Sequence, residues 1–383
     1  MLKVLYLFDA LQRGGAETST VEIASRLKNW EPIVVSLFKG TEVKKDFENK
    51  GVKVYALDNS SRFSILTIKK EIQTIIDYEN PDLIHSNLFM ADQFARILGK
   101  KNNIPVINSF VNDSYSAERK ELLTFKQKTS LLAYQFIDRF MASRVTRFLS
   151  LTNAIIANNS NALRIDPTTV KVIHRGRNSQ ELFNKVDEDK VNNIRTRYGE
   201  GPILLTVARL LIRKGYLESI KAFKQVSNIY PEAKYLIAGR GHDQEIIESL
   251  IKELNLEHRV FLLGNRNDVP SLLKAADIFL FPSHYEGQGG ALVEAMFMEK
   301  PIIATRIPVL EESVSDKFSA ILFAYRDHED MAQKIIWAIK NPHLMNKYAV
   351  NARKEAETRF DIQKIAVEHE EFYNEVASNY KDN

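Results

Sequence analysis

The chain has 383 residues, more than one ordinary core holds, so two domains are expected. Hydrophobic residues make up 44% and charged residues 27%, the balance of a globular protein, and no apolar run nears the roughly 20 residues of a bilayer span. A formal net charge of +4 is by itself a weak pointer to anionic partners, and with no cysteine the chain has neither disulfides nor a thiolate metal site.

The first residues, MLKVLYLFDA, lack a signal peptide's basic and long apolar regions and read as a strand over 3–8; a cytoplasmic location fits. A helix is expected over 15–27, strands over 31–38 and 52–57, and a helix around 64–79. Segments 82–86, 104–110 and 150–158 continue the strand series. Short apolar strands between amphipathic helices imply a parallel sheet covered on both faces.

Residues 117–149 are expected to form one or two helices. Seven basic residues there (Arg119, Lys120, Lys126, Lys128, Arg139, Arg144, Arg147) face three acids, with Phe125, Tyr134, Phe136, Phe140 and Phe148 interleaved. Two readings stay open: a core-packed helix with a solvated basic face, or a surface for an anionic membrane. No recognition motif for nucleic acid accompanies it.

The texture changes over 178–200, read as a linker plus a charged helix. A second series follows, with strands at 202–208, 233–239, 259–264, 277–282 and 301–305 and helices at 216–230, 243–256, 269–276 and 291–299. Helices near 328–340, 343–358 and 361–379 close the chain. Both halves open with a strand, an Arg/Gly loop and a helix. Ligands of open parallel sheets bind beyond the carboxyl ends of the strands, so two such domains facing each other would bring both loops to one cleft.

The residues at those strand ends carry the chemistry. Gly14 and Gly15, in GGAE, open a helix and allow backbone N–H groups to approach an anion. Arg209, Arg213 and Lys214, in VARLLIRKG, follow a buried strand and suit a diphosphate. Gly239 and Gly241, in AGRGHD, add N–H groups to the same anion site. In HYEGQGGALVEAM, Glu286 lies in the loop before a helix and Glu294 about one turn into it. Ionised carboxylates there accept from sugar or ribose hydroxyls. Apolar neighbours around Glu294 imply a partly buried carboxylate that needs a partner.

These pieces, together with FLLG and KPIIAT, occur in the order found in retaining glycosyltransferases of family 4, which the sequence resembles over most of its length. The most specific is the pair Glu286 and Glu294, eight positions apart with glycines between. The resemblance implies the glycosyltransferase-B (GT-B) fold, two Rossmann-like domains facing each other across a cleft. The N-terminal, acceptor-side domain would span 1–180, with the segment 361–383 packing back on it. The nucleotide-sugar domain would span 181–360.

It also implies roles. Glu294 would bind the ribose and Glu286 the transferred sugar. Arg209 and Lys214 would hold the diphosphate as it leaves, and Gly14 and Gly15 would add N–H groups. Backbone at Leu263 and Gly264 would face the base, while Gln288, Gly289, Gly290, Ala291 and Leu292 would surround sugar and phosphates. The family often has an aromatic where Gln288 stands. It often has His-x-His where this chain has His85 and Asn87, so His85 is either a catalytic candidate or a satisfied histidine at a strand end. Arg175 and Arg177 would meet phosphate, acceptor or solvent.

The expected activity is retaining transfer from a nucleotide-diphosphate sugar, UDP favoured over GDP, to a glycan or lipid-linked acceptor in surface polysaccharide or glycolipid synthesis. No cofactor or metal is expected. Asp187-Glu188-Asp189 imitates the metal-binding DxD of the other main glycosyltransferase fold but lies in the charged linker. A non-catalytic homologue serving as partner subunit, or another nucleotide-sugar enzyme such as an epimerase, is the alternative. The expected place is the cytoplasm, or peripheral to the membrane's inner face.

Overall fold

The computed structural model describes residues 1–60 and 64–381. Residues 382 and 383, the end of the expected closing segment, lie outside the described residues. The chain divides into Met1–Arg177 with Ile362–Asn383, and Asn178–Asp361.

The first unit runs β1 (Leu2–Phe8), α1 (Gly15–Ala24), β2 (Trp30–Phe38), α2 (Lys44–Glu48), β3 (Lys53–Asn59), α3 (Ile65–Glu79), β4 (Leu83–Asn87), α4 (Phe89–Asn102), β5 (Val106–Phe110), α5 (Ala117–Glu121), α6 (Phe125–Met141), β6 (Arg147–Ser150), α7 (Ile156–Leu163) and β7 (Val170–Val172). Its strands form one parallel sheet ordered β3-β2-β1-β4-β5-β6-β7. Strands buried on both faces need apolar side chains throughout, and LKVLYLF and WEPIVVSLF supply them.

The second unit runs α8 (Ser179–Asn184), α9 (Glu188–Tyr198), β8 (Ile203–Val207), α10 (Tyr216–Ile229), β9 (Lys234–Ala238), α11 (Gln244–Glu253), β10 (Val260–Gly264), α12 (Val269–Ala275), β11 (Ile278–Phe281), α13 (Gly290–Phe297), β12 (Ile302–Thr305), α14 (Pro308–Glu311), β13 (Ile321–Phe323), α15 (His328–Lys340) and α16 (Pro342–Arg359). Its parallel sheet is ordered β10-β9-β8-β11-β12-β13. The last helix, α17 (Ile362–Lys381), belongs to the first unit. There Tyr373, Phe372, Val376 and Ala377 join the core around Tyr6 and Trp30, and Trp30 Nε1 donates to Asn374 Oδ1 at 2.9 Å.

In each sheet the connection direction reverses beside the first strand: between β1 and β4, and between β8 and β11. Loops leaving adjacent strands there part to opposite faces, which opens a crevice at their carboxyl ends.

Three expectations are corrected. The strand expected over 150–158 lies earlier, at Arg147–Ser150, and Ile156–Leu163 is helix, because the apolar residues of NAIIANNSNAL recur at helical spacing. The segment 117–149 therefore ends in a strand rather than being helical throughout. Residues 178–200 form two helices, α8 and α9, each capped by its own acceptor side chain, Asn178 and Asp187. Asp187 accepts the Lys190 N–H at 3.1 Å, and Glu188 and Asp189 sit in the first helical turn, where acids complement the helix dipole.

Candidate active site

In the second unit, β8 ends at Val207 and the chain passes through Arg209 to a short turn holding Arg213 and Lys214. Gly215 has φ +73°, and a Cβ there would lie 1.9 Å from the Pro282 carbonyl oxygen. Only glycine lets the two loops touch this closely. Gly239 and Gly241 do the same service for β9: Cβ atoms would meet the carbonyl oxygens of Ala208 and Leu210 at 2.0 and 2.1 Å. The three glycines thus press the loops after β8, β9 and β11 together.

The loop after β11 carries the partner groups. The backbone N–H of His284 donates to the Arg213 carbonyl at 2.8 Å. Lys214 Nζ donates to Glu286 Oε1 in a close ion pair, with both side chains almost fully enclosed. The Arg213 guanidinium lies 4.9 Å from the centre of the Tyr285 ring. Burial pulls the Lys214 ammonium below a lysine's usual range although Glu286 opposes it. Burial pushes Glu286 upward, but Lys214 and Arg213 outweigh it and hold the carboxyl below its usual value.

Gly289 has φ +96° and precedes α13, whose first residue is Gly290. The first turn of α13 holds no acid, so no carboxylate of its own offsets the positive end of the helix dipole. Ala291 is half-buried and Leu292 fully buried, packing the helix start onto the core. Glu294 is half-buried on α13 and Arg209 is exposed, while Gln288 is enclosed. Leu263, at the end of β10, lines a groove of about 180 Å³ with Tyr198, Arg197 and Arg266. The next residue, Gly264, has φ +67°.

The first unit gathers a separate set. Gly14 precedes α1, and a Cβ there would lie 2.4 Å from Glu17 Oε2; a Cβ at Gly15 would lie 3.4 Å from Arg175 Nη1. GGAE, Arg175 and Arg177 therefore converge, and Arg177 Nη1 donates to Ser19 Oγ at 3.0 Å. Burial lowers Arg175 to about 10 against the pull of Glu17.

His85, in β4, is buried, and both ring nitrogens are engaged, Nδ1 with Tyr373 Oη and Nε2 with Ser109 Oγ, each at 2.7 Å. Burial, with His369 and Arg175 nearby, holds its pKa well below 6.5. At the end of the same strand Asn87 is buried, and its Nδ2 has no hydrogen-bond partner among the described residues.

Sequence reasoning assigned Lys214 and Glu286 to separate ligand groups and missed their pairing. It missed Glu17 beneath Gly14, and the Tyr373, Ser109 and His369 surroundings of His85. It also missed His284, buried with Nε2 3.2 Å from Glu218 Oε2 but without a hydrogen bond's alignment. The pairings of Lys214 with Glu286, of His85 with Tyr373 and Ser109, and of His284 with Glu218 have no local signature, since the partners lie far apart in sequence; Glu17 lies within GGAE itself, three residues after Gly14.

Two open parallel sheets, one with a basic, glycine-pressed strand-end loop beside a helix N-terminus free of acids, define a two-domain α/β protein. The sequence model described as "Glycosyl transferases group 1" matches residues 187–355, and that of "Glycosyltransferase Family 4" matches residues 13–181. The chain thus belongs to the glycosyltransferases. It is 25% identical over 343 residues to the Escherichia coli UDP-Gal:alpha-D-GlcNAc-diphosphoundecaprenol alpha-1,3-galactosyltransferase, over 84% of this chain and 86% of that one. It is 22% identical over 364 residues to the Bacillus anthracis N-acetyl-alpha-D-glucosaminyl L-malate synthase, over 90% and 94%. The crystal structure of Anabaena HepE in complex with UDP and glucose superimposes with a TM-score of 0.85 at 22% identity, covering 98% of this chain and all of that one. The fold is GT-B.

Proposed function

We propose that this protein is a retaining, metal-independent glycosyltransferase of family 4. It moves a sugar from a UDP-sugar, in preference to a GDP-sugar, to a glycan or lipid-linked acceptor in surface polysaccharide or glycolipid synthesis. It works in the cytoplasm, at the inner face of a membrane. The observation that carries the reading is the buried Lys214–Glu286 pair beside Arg209, Arg213 and the head of α13. The E. coli relative, whose name specifies a UDP-sugar donor and a lipid diphosphate acceptor, supports the donor and acceptor classes; the UDP-bound HepE structure supports the donor.

Breaking the sugar–phosphate bond builds negative charge on the departing diphosphate. Fixed positive groups already in place stabilise that charge without reorganising. Lys214, held by Glu286, and the N–H groups opening α13 take this role, with Arg209 on the exposed side. Because ammonium, guanidinium and helix dipole supply the charge, no cation is needed. Glu294 accepts from the ribose hydroxyls. Glu286 keeps one oxygen on Lys214 and offers the other to the sugar. Gly239 and Gly241 hold the loops, and Leu263 with Gly264 borders the base. In the first unit, Arg175 and the amide of Asn87 serve the acceptor. We assign His85 a positioning part, because its ring nitrogens are already engaged.

The test is a product assay with UDP- and GDP-sugars, with the anomeric configuration of the product read by NMR and EDTA included in one arm. Retained configuration, a UDP preference and insensitivity to EDTA are expected. Inverted product overturns the retaining assignment, and activity lost to EDTA and restored by manganese overturns metal independence.

A further inference from the structure

Helix α6 turns its phenylalanines outward. Phe125, Leu132, Phe136 and Phe140 are 83%, 61%, 72% and 72% exposed. Their spacings of seven, four and four residues set them on one stripe of the helix, with Ile137 beside it. Lys128 and Arg139 border the stripe on one side and Lys126 on the other. None of the three forms an ion pair among the described residues.

The opposite side of α6 is pinned by polar chemistry. Asp138 accepts from Arg96 Nη1 at 2.9 Å, from Gln93 Nε2 at 2.7 Å and from the Tyr115 hydroxyl at 2.5 Å. Arg96 is fully buried and donates from Nε to Asn108 Oδ1 at 2.6 Å. Leu131 and Met141 are buried on the same side. Rotating α6 to hide its phenylalanines would strip Arg96 of Asp138 and leave a buried charge unpaired, which is strongly unfavourable. The outward stripe is therefore fixed by the fold.

We propose that this stripe docks on an anionic lipid bilayer. Phe125, Leu132, Phe136 and Phe140 enter the headgroup–acyl boundary while Lys126, Lys128 and Arg139 meet the headgroup phosphates. An exposed contiguous apolar stripe marks an interaction surface, and the choice of lipid over protein rests on charge complementarity: cations flank the stripe on both sides, and no acid projects from α6 on that side. No helix among the described residues is long and apolar enough to cross a membrane, so α6 lies on the surface rather than spanning it. The inference deepens the membrane-face reading above by naming the surface, and it stands on α6 without depending on the transfer reaction.

The test is vesicle co-sedimentation of the full chain with phosphatidylcholine alone and with phosphatidylglycerol added. Wild type, the Phe136→Ser/Phe140→Ser variant and the Lys126→Glu/Lys128→Glu variant are compared, with melting temperature and UDP binding measured on each. Wild type is expected to bind the anionic vesicles, and either variant to bind at least tenfold less, with melting and UDP binding unchanged. No binding of wild type, or variants that bind as well as wild type, overturns the proposal. So does a concentration-dependent dimer that the phenylalanine variant abolishes, since the stripe then belongs to a second copy. Vesicle binding without UDP binding sinks the donor reading and leaves the docking surface standing.

Discussion

Lys214 and Glu286 stand 72 positions apart and form one buried ion pair at the carboxyl ends of β8 and β11. Removing one partner of such a pair costs about 3–5 kcal/mol, whereas replacing both with apolar groups is often neutral or stabilising. Lys214→Ala is expected to lower unfolding free energy by that amount in denaturant titration. Lys214→Met/Glu286→Leu is expected to restore stability but not transfer, which stays about a hundredfold or more below wild type. Recovery of activity with stability would make the pair structural only.

The pair also sets a pH signature. Lys214 is held below its ordinary 10.5, chiefly by burial, so it loses its charge earlier than a free lysine as pH rises. Transfer should therefore fall on an alkaline limb centred below 10.5. Stability moves the other way: between the two values the unfolded chain binds more protons, so this group's contribution rises with pH. Glu286 acts at the acid end, where burial is outweighed by Lys214 and Arg213. Its stabilisation is present above about 4.5 and lost as pH falls through its lower folded value. Lys214→Arg should abolish the alkaline limb, because a guanidinium stays charged. The pH profile of kcat/KM beside melting temperature reads all three; an alkaline limb in the arginine variant assigns it to another group.

Gly215→Ala combines a φ of +73° with a Cβ 1.9 Å from the Pro282 carbonyl oxygen. The left-handed backbone alone costs roughly 1–2 kcal/mol, and the contact forces the loops apart. A clear drop in melting temperature and a loss of turnover larger than the stability loss explains are expected. Wild-type turnover would show that loop contact does not matter to catalysis.

The buried His85 rests between the Tyr373 and Ser109 hydroxyls and stays neutral, its pKa held well below 6.5 by burial. His85→Ala should destabilise by about 1–3 kcal/mol through the unsatisfied hydroxyls. The variant should keep turnover within about tenfold and show the same pH profile between 5 and 8. A hundredfold loss of kcat at unchanged melting temperature would make the histidine catalytic instead.

Both sheets were legible in the sequence because buried parallel strands are short unbroken apolar runs, as in VLYLF and ILLTV. The loops were legible where glycine is compulsory: Gly215, Gly239 and Gly289 all have positive φ. Pairings across distance were not. Nothing local to RKG announces Glu286, and nothing in DLIHS announces Tyr373, which arrives from the last helix. The strand at Arg147–Ser150 escaped because RFLS is short and follows a helix of similar composition.

The most direct measurement is calorimetric titration of UDP into wild type, Lys214→Ala and Glu294→Ala, with GDP and ADP as controls. A bound ligand at a hundred times its dissociation constant also adds about 2.7 kcal/mol of stability, so melting shifts check the same point. The account predicts that UDP binds wild type and that each variant binds it at least tenfold more weakly. Equal binding by all three proteins, or no binding of UDP to wild type, would contradict the donor site placed on Lys214, Glu286 and α13.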